Sequence, residues 1–310
     1  MKRDRALAYA AFAIVCIVWG TTYLAIRIAV RTIPPFLLTG IRFTIAGVVL
    51  LVLARWRGER IPRARRVLTE VAMVGVLLIG LGNFAVAWSE QWVPSGIAAL
   101  LVATAPFWAA LLERARPGGD RLDVRRTVGM LIGFVGVAML VTPRGAGGAF
   151  DVHFMTGAIA VQIGCLSWQY GTVRSKYNLT SVPPLMSSAL QMLCGGIVLT
   201  FFGLLSGETS NFTATREGLA ALAYLTIFGS ILAYTSYVYA VTKIRTTNMA
   251  LYAYINPLVA VILGWLILNE RLTAVSVAAM CVILGGVALV QTGGRGHKTV
   301  PASVAEKNAA

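Results

Sequence analysis

Long apolar runs alternate with short charged or Pro/Gly-rich breaks along almost the whole chain. A helix that crosses a hydrocarbon core about 30 Å thick needs roughly 20 mainly apolar residues, so each run predicts a membrane-spanning helix. Ten emerge: Ala6 to Ile26, Phe36 to Ala54, Leu68 to Ser89, Ser95 to Leu112, Thr127 to Thr142, Phe154 to Thr172, Leu185 to Leu205, Leu219 to Val241, Thr247 to Leu268 and Ala274 to Gln291. Lys2, Arg3 and Arg5 give the first run the look of a signal peptide, but it is long and leads straight into further spans, so it counts as a span.

The pattern repeats. At a separation of 149, Cys16 meets Cys165, Trp19 meets Trp168, Arg27 meets Lys176, Pro34 and Pro35 meet Pro183 and Pro184, Arg42 meets Gln191, and Gly47 meets Gly196. With a drift of one or two residues, Pro106 meets Pro257, Asp120-Arg121-Leu122 meets Glu270-Arg271-Leu272, and Gly136 meets Gly286. Each half carries five spans, an odd number, so the second half inserts upside down relative to the first. The expected organisation is therefore a first five-helix repeat at 1–142, an external linker at 143–153, a second inverted repeat at 154–292 and a cytoplasmic tail at 293–310.

Composition narrows the class. With 57% hydrophobic and 13% charged residues and a mean hydropathy of +0.76, the chain has too few polar residues to coat a water-soluble globule. The net charge of +15 does not form one basic face; 21 of the 27 Lys and Arg fall in the segments that lie inside if the N-terminus is inside, against four in the outside loops. Positive loops stay cytoplasmic, which puts both termini in the cytoplasm and assigns the basic surplus to topology and anionic lipid rather than to nucleic acid. The four cysteines all lie in apolar runs, where thiols act as small buried side chains, and the sequence shows no metal-ligand spacing and no cofactor motif.

Polar residues inside the spans carry the chemistry, since a polar stripe on an apolar helix must face protein or water. Asn248, Tyr252 and Asn256 form one stripe, Thr226, Ser230, Tyr234 and Tyr237 a second, and Gln162, Gln169 and Thr172 a third. Together they read as one cavity wall, against the plainer alternative of helix-to-helix hydrogen bonds worth about 0.6 kcal/mol each. Arg42 lies six residues past Phe36, about 9 Å down its helix, where an intramembrane Arg costs on the order of 2.5 to 3.5 kcal/mol. It either faces the bundle, where it is placed to hold a substrate carboxylate, or snorkels outward; Arg27, nearer the edge, reads as a snorkelling anchor. Pro106 and Pro257 sit mid-span and free the carbonyls of Val102 and Ala253, which suits a hinge or substrate site as well as a simple kink. Glu90, near the outer end of the third span, is the best-placed carboxylate for proton coupling, with Glu70 at the inner end a weaker one. Gly129, Gly133 and Gly136 give a small-residue face that reads as packing within the fold, leaving monomer and homodimer both open.

Val18 to Tyr23 (VWGTTY), Trp88 to Gly96 (WSEQWVPSG), Ala105 to Trp108 (APFW), Asn256-Pro257 and Leu268 to Leu272 (LNERL) resemble the EamA-type branch of the drug/metabolite transporter superfamily over nearly the whole chain. That resemblance implies an all-α polytopic inner-membrane protein of ten spans in two inverted halves, exporting a small metabolite, amino acid or drug by alternating access. It implies that Trp19, Tyr23, Trp88 and Trp168 belong to cavity-lining spans. With Arg42, Gln169, Tyr234, Tyr237, Tyr252 and Asn256 they form the expected substrate site, within a lipid bilayer and with proton or counter-substrate coupling. The other classes are a passive channel or membrane sensor and, last, an intramembrane enzyme, for which His153 and His297 are badly placed.

Overall fold

In a computed structural model of the chain the described residues are 2–115, 124–140, 152–243, 252–270 and 273–292. Among them there are helices and no strands: α1 (Lys2–Ala29), α2 (Pro35–Trp56), α3 (Arg65–Ser89), α4 (Ser95–Val102, resumed at Ala105–Ala115), α5 (Val124–Leu140), α6 (Val152–Asn178), α7 (Pro184–Leu205), α8 (Arg216–Lys243), α9 (Tyr252–Leu268) and α10 (Ala274–Thr292). Six of them, α1 to α4 with α7 and α8, are long and apolar enough to cross a membrane; α9 and α10 hold the shorter apolar stretches Ile255–Leu268 and Ala274–Leu289. Exposed Ile45, Val49, Val52, Ile197, Phe201, Leu205 and Trp265 give the bundle an apolar exterior, as lipid contact requires. The expected tail, most of the linker, Asn248 and Asp120 lie outside the described residues.

Two antiparallel pairs join the halves. Where α2 crosses α7, an added Cβ at Gly47 would meet the Leu193 backbone nitrogen at 2.8 Å, and one at Gly196 would meet the Thr44 nitrogen at 2.6 Å. Where α5 crosses α10, a Cβ at Gly286 would lie 2.6 Å from the Gly129 carbonyl and 2.7 Å from the Gly133 nitrogen, while Gly136 faces Ile283. The GxxxG face is thus spent inside the fold. Contacts that exchange on adding 149 describe a two-fold relation, and a two-fold that makes neighbouring helices antiparallel runs across them, in the membrane plane. The repeat is therefore inverted.

The helix ends obey the same relation. α2 and α7 each start after a proline, Pro34 (φ −58°, ψ 148°) and Pro183 (φ −55°, ψ 142°), with no cap of their own. Each helix also runs out into a left-handed glycine, Gly58 (φ 78°) or Gly207 (φ 72°), a conformation that favours glycine because it has no Cβ. That turn aims the next carboxylate across to the other half. Glu208 accepts from the amides of Phe36 (3.3 Å) and Leu37 (2.9 Å) at the start of α2, and Glu59 accepts from Met186 (3.1 Å) at the start of α7. A third cross-half cap places Glu270 on Ser95 and Gly96 at the start of α4, at 2.8 Å and 3.2 Å from their amides. Helix N-termini favour negative charge, so each cap both satisfies free amides and complements the helix dipole.

Candidate functional site

The cavity lies between the halves and takes its lining from α1, α2, α3, α4, α6 and α9, with about 640 Å³ of empty space, its mouth included. Its walls include Trp19 and Trp168, well along α1 and α6, and Tyr252 and Asn256 at the start of α9, and reach Ile26 and Val86 near the C-terminal ends of α1 and α3. Towards the opposite end the bundle is filled by Val15, Cys16, Leu50, Val74, Leu78, Tyr234, Tyr237 and Ala240.

Aromatic rings form the floor. Trp19 meets Trp168 edge-on at 5.6 Å and Tyr252 edge-on at 5.6 Å, and both indoles pack on Tyr237, at 5.0 and 5.6 Å. Both indole N–H groups are engaged. Trp19 Nε1 donates to the Gly229 carbonyl (3.2 Å), and Trp168 Nε1 donates to the Tyr237 hydroxyl (3.3 Å), itself paired with Thr172 Oγ1 at 3.1 Å. What reaches the cavity from these rings is apolar face and edge.

Arg42 is the charged residue of the lining. It does not snorkel: it is 5% exposed, its Nε donates to Ser230 Oγ at 2.7 Å, and its guanidinium lies 4.5 Å from the Phe43 ring centre. Among the described residues no carboxylate pairs with it. Gly229 makes the room, since a Cβ there would stand 2.8 Å from Arg42 Nη2. A buried guanidinium is costly unless its donors are satisfied, and among the described residues only Nε has a hydrogen-bond partner.

Two wide-turned π segments, Val76–Asn83 in α3 and Leu225–Tyr234 in α8, start one repeat apart and flank the cavity. π turns are uncommon and concentrate at functional sites. Here they carry Gly82, over which Trp168 packs, and Gly229 and Ser230, which hold Trp19 and Arg42. Asn83 also lines the cavity, and its amide donates to the Leu78 carbonyl (3.3 Å) within the π segment. Sequence periodicity missed both segments; a lone Asn among glycines in a strongly apolar run was the available signal.

Of the expected substrate residues, Trp19, Tyr23, Arg42, Trp168, Tyr252 and Asn256 come together on the cavity. Asn256 also ties α9 to α1 by donating to the Cys16 carbonyl (2.9 Å) in the amide orientation its neighbours demand. The others lie elsewhere. Tyr234 is sealed beneath the floor, donating to Gln191 Oε1 at 2.6 Å, Tyr237 sits under the indoles, and Gln169 is buried beside Tyr252. Trp88 packs edge-on against Trp92 (4.8 Å), which stacks on His153 away from the cavity. The polar stripes thus do not make one wall, because in an apolar interior hydroxyls and amides pair with one another first.

Pro106 follows a break at Ala103 and Thr104 in α4, where the Leu101 carbonyl accepts from the Thr104 hydroxyl (2.7 Å) and from Gln162 Nε2 (3.1 Å), and Gln162 Oε1 accepts from Thr104 and Trp108. Pro257 lies inside a continuous α9. Glu90 is fully buried just past α3, and neither carboxylate oxygen finds a donor among the described residues; Arg27 reaches over to its backbone carbonyl. Glu70 is held at the far end of α3 by a two-point pair with Arg174 (2.6 and 2.7 Å) and by Asn178.

Two inverted helical halves around a central cavity define a membrane transport protein. The sequence matches the EamA-like transporter family over residues 6–142 and 155–292, and the chain belongs to that family. It is 37% identical over 278 residues to YedA of Escherichia coli (strain K12), named an uncharacterized inner membrane transporter, covering 89% of this chain and 88% of that one. The transporter YvbV of Bacillus subtilis (strain 168), also named as uncharacterized, is 24% identical over 96% of this chain and 95% of its own. A solved crystal structure at 21% identity covers 98% of this chain and 99% of its own with a TM-score of 0.67, which shows the fold.

Proposed function

We propose that this protein is a secondary transporter of the inner membrane that exports a small organic solute, with both termini in the cytoplasm and the central cavity as the cargo site. One observation carries the reading: the cavity lies between two inverted halves, over an aromatic floor with a packed core beneath it. Inverted halves that rock against each other exchange which side is filled. By the charge asymmetry of the loops, the packed core beneath the floor lies on the cytoplasmic side of the cavity. The family and its named relatives support transport over channel, sensor or enzyme. Glu90 is the proposed proton-coupling group, because it is a buried carboxylate without hydrogen-bond donors among the described residues and close to Tyr23 and Arg27 of the lining helix α1.

Single cysteines in a background lacking the four native ones test this reading. In vesicles, Val86→Cys, in the cavity wall, reacts with a membrane-impermeant thiol reagent from one side, while Val238→Cys, in the packed end, is silent until a cargo gradient is imposed. If Val238→Cys never becomes reactive while flux proceeds, alternating access is wrong. Replacing Glu90 by Gln abolishes the pH dependence of flux; an unchanged pH profile removes Glu90 from coupling and leaves counter-substrate exchange.

A further inference from the structure

We infer that the cavity selects small organic monoanions, carboxylates on an aromatic or branched aliphatic body, over zwitterionic amino acids and over cations. The inference rests on reading the cavity as the cargo site. Arg42 is more than nine-tenths buried, lines the cavity and pairs with no carboxylate among the described residues. Its Nε is taken by Ser230 Oγ at 2.7 Å, which leaves the two terminal nitrogens for an end-on, two-point grip on a carboxylate. One guanidinium matches one negative charge.

The rest of the lining says what else the cargo carries. Among the described residues no acidic side chain lines the cavity, so the ammonium of an amino acid would meet no counter-charge from them and would sit near a like charge. Glu90 is sealed away behind α1, and Glu270 is committed to the start of α4. The indole N–H groups of Trp19 and Trp168 are used internally, so these rings offer surface rather than donors, and Ile26, Val86 and Val102 extend that apolar surface.

The test is calorimetric titration of the purified full chain, in phosphatidylcholine nanodiscs, with four probes of similar shape: phenylacetate, phenylacetamide, phenylalanine and phenethylamine. Phenylacetate is expected to bind at least about tenfold tighter than the other three, as a charge-assisted two-point bond provides. Arg42→Gln brings phenylacetate down to the level of phenylacetamide. Arg42→Lys, which keeps the charge but loses the planar fork, falls between the two and serves if Arg42→Gln does not fold. Equal binding of phenylacetate and phenylacetamide, retained preference in Arg42→Gln, or no binding of any probe overturns the inference. Loss of phenylacetate binding when phosphatidylglycerol is added also overturns it, by naming a lipid headgroup as the anion. Saturable flux of neutral or zwitterionic solutes alone would sink the anion site and leave the transporter standing; Arg42-dependent binding without flux would do the reverse.

Discussion

Arg42 in α2 and Gln191 in α7 stand one repeat apart, each two turns into the second helix of its half. Gln191 is enclosed, its oxygen taken by the Tyr234 hydroxyl (2.6 Å) and its amide by Ser187 Oγ (2.8 Å). Among the described residues Arg42 has one hydrogen-bond partner, Ser230, and it lines the cavity. Both partners from α8, Ser230 and Tyr234, correspond across the repeat to Leu81 and Ala85 of α3. The two halves therefore share a frame and differ in filling: the first contributes the charge, the second the hydroxyls that hold it and seal its counterpart. The glycines, the prolines, the caps and the Trp19–Trp168 pair keep the symmetry, whereas the charge on the cavity sits where the halves diverge.

The largest effect is expected from imposing symmetry on the filling. Gln191→Arg places a guanidinium in a sealed space without a counter-charge, at a cost on the order of 3 to 5 kcal/mol, read as loss of monodisperse protein on size exclusion. Next, Gly47→Ala and Gly196→Ala each force a methyl against the backbone of the other half; each lowers stability by roughly 1 to 3 kcal/mol in denaturant unfolding. Unequal costs would break the symmetry of the frame. Tyr234→Phe leaves Gln191 Oε1 without its donor and costs about 1 to 2 kcal/mol in the same measurement, with little change in cargo affinity.

The smallest effects come from the caps. Glu59→Ala and Glu208→Ala each cost about 1 kcal/mol. Burial raises the Glu208 carboxyl above its ordinary value, against the pull of the Leu37 and Phe36 amides. The folded protein thus takes up that proton at higher pH than the unfolded chain, so the stability this group contributes is complete below the ordinary glutamate range and is lost as pH rises through the raised value. A melting curve against pH shows this slope in the wild type and not in Glu208→Gln.

Much of the frame was legible in the sequence. Apolar run length gave helices whose described ends agree to within a few residues for most spans, because lipid imposes one length on all of them. The cost of charge at depth left Arg42 two placements, inward or snorkelling, and burial against Ser230 decides for the first. The pairing of polar stripes was not legible, because helical spacing fixes a face but not the neighbour that meets it: Tyr234 shares a stripe with Ser230, yet one seals Gln191 and the other holds Arg42. The π segments escaped because a wider turn leaves composition unchanged. The crossed caps left a readable trace, Gly58-Glu59 and Gly207-Glu208 at the repeat separation, but their target lies in the opposite half and no local rule reaches it.

Those crossed caps also set an order of assembly. On the ribosome, α2 is made some 150 residues before Glu208 emerges, a wait of roughly 10 to 30 s at ordinary elongation rates. Until then the start of α2 has bare amides, and α7 in turn is docked by a Glu59 already waiting for it. The first half is thus a template whose last hydrogen bonds are written by the second, and the caps are complete only once both halves have been made.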